Sequence, residues 1–198
     1  MANAAHRFGT GELGLFSGGV RQMARKTVNI NRAPVLTLWA TVVAERLGYD
    51  HEAALTLGKA VAGLNAQSKG RRLGIFEEPK GPQEERELKA RQPGEQFLVS
   101  LLNRRVPAIG TDQGVRATVK GQPVAPESVR RYLTQKFGHE LADVQAAMEA
   151  LAKAYPPDQL AAQACALYEQ FRPDVPEGKR GWGAAGHLDL GYIRSLAE

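Results

Sequence analysis

Cysteine is almost missing from this chain. Cys165 stands alone among 198 residues, so no intrachain disulfide can form. A reducing compartment is therefore expected, the cytoplasm first. Aromatic residues make up only 7%. With Ala, Leu and Val dominating the apolar set, that scarcity favours helix packing over a β-sandwich. No apolar run approaches the ~20 residues of a membrane span, and no charged start leads into an apolar stretch like a signal peptide. No membrane partner is expected.

Recognisable reaction chemistry is also scarce. His6, His51, His139 and His187 are scattered, without a second His, Cys or carboxylate at a metal-ligand spacing. There is no phosphate-binding P-loop and no nucleophile elbow. "GTGELG" at 9–14 spells a dinucleotide fingerprint, but no strand precedes it and "LFSGG" follows. Cys165 sits in "AAQACALY", where a small buried thiol is ordinary. Acidic pairs such as Glu77-Glu78 fall in a solvated, charged stretch. Neither a metal nor another cofactor is expected, and no catalytic residue stands out.

What is present is basic charge. The formal net charge is +5, which permits a polyanionic partner without demanding one. The cations cluster: Lys69, Arg71 and Arg72 in "NAQSKGRRLG", Arg104 with Arg105, Arg116 with Lys120, Arg130 with Arg131, and Lys179 with Arg180. Cations at a helix C-terminus also favour its dipole, so the first cluster has a ligand-free explanation too.

The hydrophobic pattern divides the chain. Residues 1–27, rich in Gly and small side chains, read as a disordered leader, with Met23 an alternative start. Residues 28–76 read as a helical hairpin or helix-turn-helix-like unit. Pro34 opens the first helix, with Val35, Leu38, Trp39, Val42 and Val43 on one stripe. Gly48 stops it, and Asp50 caps a second helix striped by Ala54, Leu57, Val61 and Leu64. Gly58 and Gly63 within that helix predict a close approach by the first helix. "VAERLGYDHEAAL" has the small residues of a DNA-binding turn, but Glu52, Thr56 and Lys59 do not make a base-reading face.

Residues 77–95 read as a charged connector. In 96–198, Phe97, Leu98, Leu101 and Leu102 predict a helix, and "VPAI" and "VRATVKG" around "GTDQG" predict a β-hairpin. There Val115, Ala117 and Val119 would face inward, and Arg116, Thr118 and Lys120 outward. Helical patterns follow from Pro126, including a seam through Leu141, Val144, Met148 and Leu151 that could pair with another helix. Trp182, between glycines in "EGKRGWG", could stack on a base or pin its loop to the helices. The expected fold is mainly α, about seven helices in antiparallel or helix-turn-helix pairs with one small β-hairpin.

The stretch from Ala33 to Gly70, with "PESVRRYLTQKFG" and "GWGAAGHLDLGYIRSLA", resembles a family of uncharacterised bacterial proteins. That resemblance implies a bacterial, soluble protein and transfers no site residue. Three functions follow from the residues. The first is a non-catalytic protein binding DNA or RNA through Lys69, Arg71, Arg72, Arg116, Lys120 and Trp182. The second is a helical interaction module or homodimer, and the third an enzyme whose site assembles from distant residues.

Overall fold

The computed structural model describes residues 26–70, 93–178 and 184–198; side chains of 67–70 are outside that description. The expected leader (to residue 25) and most of the expected connector lie outside the described residues.

Strand β1 (Thr27–Asn31) leads directly into helix α1 (Arg32–Arg46). Val28 and Ile30 alternate inward, the period of a half-buried strand. In α1 the expected stripe is buried, but so is every residue from Pro34 to Ala44. A helix buried on all sides must sit inside the core, and its polar groups need internal partners. Thr37 and Thr41 meet that demand by donating to Ala33 O and Thr37 O, each at 2.9 Å. Trp39 is fully buried; its indole N–H donates to Ala164 O at 2.8 Å.

Gly48 ends the hairpin turn at φ 94°, a left-handed conformation favoured by glycine. Asp50 Oδ1 accepts from Ala53 N at 2.9 Å, capping helix α2 (His51–Gly70) as its sequence predicts. The expected close approach holds at Gly58. A Cβ there would meet Thr37 O at 2.5 Å and would also strike Thr41, whereas nothing lies within 4 Å of one at Gly63. Gly58→Ala should therefore destabilise by about 1–2 kcal/mol in urea unfolding, since overlap with α1 backbone outweighs the ~1 kcal/mol gain in helix propensity. A stabilised variant would show that the helices can separate at no cost.

The mainly-α expectation is overturned. Among the described residues there are six strands in two sheets, so the chain is mixed α/β. Strands β2 (Gln96–Leu101), β3 (Arg104–Thr111), β4 (Gly114–Val119) and β5 (Gln122–Pro123) form an antiparallel meander in that order. The helix expected around Phe97 is instead β2: Phe97, Val99 and Leu101 point inward while Leu98 is 42% exposed. A tight turn with positive φ at Leu102 and Asn103 joins β2 to β3, as hairpin twist requires. The predicted hairpin is present as β3 and β4.

The second sheet pairs β1 with β6 (Ala185–Asp189), setting Val28 opposite Leu188. Between the sheets in sequence lie α3 (Pro126–Phe137), a 3-10 turn (Gly138–Glu140), α4 (Leu141–Lys153) and α5 (Pro157–Phe171); α6 (Leu190–Ser195) follows β6. The seam expected to meet a partner helix is filled by the chain itself. Val144, Met148 and Leu151 are fully buried, and α4 packs against α1 and α6.

Candidate functional site

Lys69 lies in the last turn of α2; its side chain, like Arg71, Arg72 and Trp182, falls outside what the structure describes. Lys120 is exposed in the turn between β4 and β5. Arg116 corrects an expectation: it is not an outward cation. Its side chain is only 4% exposed, with Nη2 on Glu52 Oε2, Nη1 donating to Val115 O at 2.9 Å, and Asp50 Oδ1 3.9 Å away.

The reason lies along β4 before its short pairing with β5, which reaches only Thr118 and Val119. Thr56 on α2, fully buried, accepts from Ala117 N at 3.0 Å while donating to Ala53 O at 2.8 Å. One hydroxyl thus serves a backbone N–H that the β5 ladder does not reach and draws the start of α2 over Arg116. Strand alternation foresees the face but not its cover. The same packing disposes of α2 as a recognition helix: Ala53 through Gly58 and Ala60 through Ala62 are buried.

Most other described cations are also engaged within the fold. Lys26 pairs with Glu140 and Asp143, Lys153 with Glu149 at 3.6 Å and Arg172 with Glu169 at 2.5 Å. Arg32 donates to Pro173 O at 3.0 Å, and Arg104 to Asn65 Oδ1 at 2.5 Å. Helix α3 differs. Val129, Leu133 and Phe137 bury its inner face, while Arg130, Arg131, Thr134, Gln135 and Lys136 are exposed. Among the described residues, no carboxylate forms a salt bridge with Arg130, Arg131 or Lys136.

Lys59 of α2 joins this face, its ammonium 3.6 Å from the centre of the Tyr132 ring. Burial, and then the neighbouring Lys136 charge, lowers the Lys59 pKa from its ordinary value. Sequence reasoning passes over Lys59, Tyr132 and Lys136 as a group because two helices far apart in sequence contribute them.

A second feature lies where α1, α2, α3 and α4 meet: a cleft of about 110 Å³. Its wall is aliphatic, from Leu38, Val42, Leu55, Leu133 and Leu141. Glu45, His51, Arg130 and Gln145 supply its polar groups, with His51 Nδ1 2.5 Å from Glu45 Oε1. Gln145 is steadied by donating to Glu149 at 2.9 Å. The turn at Gly48 brings Glu45 and His51 together, a pairing that spacing alone leaves unmarked.

Among the described residues no three His, Cys, Asp or Glu side chains gather to hold a metal ion. Burial raises the Cys165 thiol pKa, which disfavours the thiolate a nucleophile needs. No described helix is long and apolar enough to cross a membrane. No family model, curated protein or solved structure matches this mixed α/β chain.

Proposed function

We infer that the protein binds nucleic acid through phosphate contacts made by the outer face of α3. The supporting observation is the concentration of exposed cations without a salt bridge on one helix, Arg131 and Lys136 with Arg130 between them and the cleft, while most other described cations are tied into the fold. Phosphate contacts need such uncommitted charge. Thr134 and Gln135 add neutral donors on the same helix, the kind that positions a backbone rather than reads a base. Lys69, Arg71, Arg72, Lys120 and Trp182 extend the proposal, and Arg116 leaves it. A bacterial, cytoplasmic setting fits this reading.

The test is fluorescence anisotropy with labelled duplex DNA and single-stranded RNA across a salt series. Arg131→Ala with Lys136→Ala should weaken binding and reduce the slope of log K against log salt by about 1.8 on duplex, near 0.9 per lost contact. An unchanged slope, with folding intact by circular dichroism, removes α3 from the interface. The homodimer reading finds no support in the α4 seam, which is occupied internally.

A further inference from the structure

We propose that the cleft beside the Glu45–His51 pair is a binding site for a small aliphatic zwitterion of the α-amino-acid class. It holds about 110 Å³, well below the roughly 300–1,000 Å³ of pockets for drug-sized ligands, which suits a short aliphatic side chain rather than a ring system. Its wall is aliphatic, and the polar groups lining it carry both signs: the Glu45 carboxylate and the Arg130 guanidinium. A purely anionic ligand leaves Glu45 opposed, and a purely cationic one leaves Arg130 opposed. A ligand bearing both an ammonium and a carboxylate next to a short hydrocarbon complements all three surfaces.

The Glu45–His51 pairing and the anchoring of α3 favour a preformed site. His51 engages one oxygen of Glu45 and leaves the other for an ammonium donor. Arg130 comes from α3, whose inner residues Val129 and Leu133 anchor it in the core. Its planar fork suits a carboxylate. Thr41, also on the lining, is already committed to Thr37 O and adds no competing polar demand. This site shares Arg130 with the α3 face but uses no residue of the Arg131–Lys136 test.

The experiment is a ¹H–¹⁵N NMR titration of the full chain with L-leucine, 4-methylpentanoate, 3-methylbutylamine and glycine. Leucine should shift the amides of Val42, Glu45, His51 and Leu133 and saturate near ~1 mM or below. Each analogue lacks one element, and each should bind on the order of tenfold more weakly. Arg130→Gln should erase the preference for leucine over the amine, and Glu45→Gln its preference over the carboxylate. Arg131→Ala with Lys136→Ala should leave the titration unchanged. The proposal is overturned if none of the four compounds titrates. It also fails if 4-methylpentanoate or 3-methylbutylamine binds as tightly as leucine, or if the two substitutions in well-folded protein leave the preferences intact.

Discussion

Replacing Trp39 with alanine should cost about 3–5 kcal/mol of folding free energy, the largest effect expected of any single substitution in this chain. Trp39 is fully buried at the middle of the central helix, edge-on to Phe171 with ring centres 5.3 Å apart. Truncation removes that aromatic contact, opens a cavity between α1 and α5, and leaves Ala164 O without the indole donor. Trp39→Phe keeps most of the volume and should cost about 1–2 kcal/mol, mainly the hydrogen bond. Urea unfolding of both variants checks this. Equal losses would mean that the N–H, not the bulk, fixes α5 against α1. A loss below about 1 kcal/mol for alanine would mean the core repacks freely, against the density found in well-packed interiors.

Glu52→Ala should cost about 2–3 kcal/mol, more than Arg116→Met, although the two residues form one pair. The asymmetry comes from where each partner sits. Arg116 is 4% exposed and stays buried without its main counter-charge, whereas Glu52 is 42% exposed and regains water when the arginine is lost. The figure falls below the ~3–5 kcal/mol of a fully enclosed pair because Asp50 remains 3.9 Å away. Glu52→Gln should lose roughly half as much, since a neutral acceptor makes a hydrogen bond about half as strong as a charged one. Chemical denaturation of the three variants measures the order. If Arg116→Met is the more damaging change, the arginine stem rather than its charge holds β4 to α2.

The helices were legible where the chain carries punctuation. Pro34, Gly48, Asp50, Pro126, Gly138 and Pro157 lie at or near the observed ends, because their backbone constraints act locally. Of the strands, only the β3–β4 hairpin was. Phe97, Leu98, Leu101 and Leu102 fit a helical stripe, while Phe97, Val99 and Leu101 fit a strand, and a short apolar run does not choose between them. The choice was made by pairing with β3 and the two left-handed residues of the turn. Strands β1 and β6 carry still less signal, since each is short and finds its partner at the other end of the described chain.

The candidate sites divide in the same manner. The exposed cations of α3 could be read from "SVRRYLTQK", but which arginines stay uncommitted depends on where the acids fold. Arg116 shows the failure most plainly: a two-residue period assigns it to a face, and only the start of α2 decides that this face is covered. Glu45 and His51 are near in sequence, yet nothing in their spacing announces the leucine-lined cleft beside them.

Strand β1 also sets a schedule for synthesis. Its register with β6, Asn31 opposite Ala185, means that the first described element to leave the ribosome waits for one made about 150 residues later. At roughly 5–20 residues per second, that interval is on the order of ten to thirty seconds. Throughout it Val28 and Ile30 lack their cover and the backbone of β1 has no ladder to join. The nascent chain therefore carries a short sticky edge for most of its elongation, a natural point of attachment for a ribosome-associated chaperone.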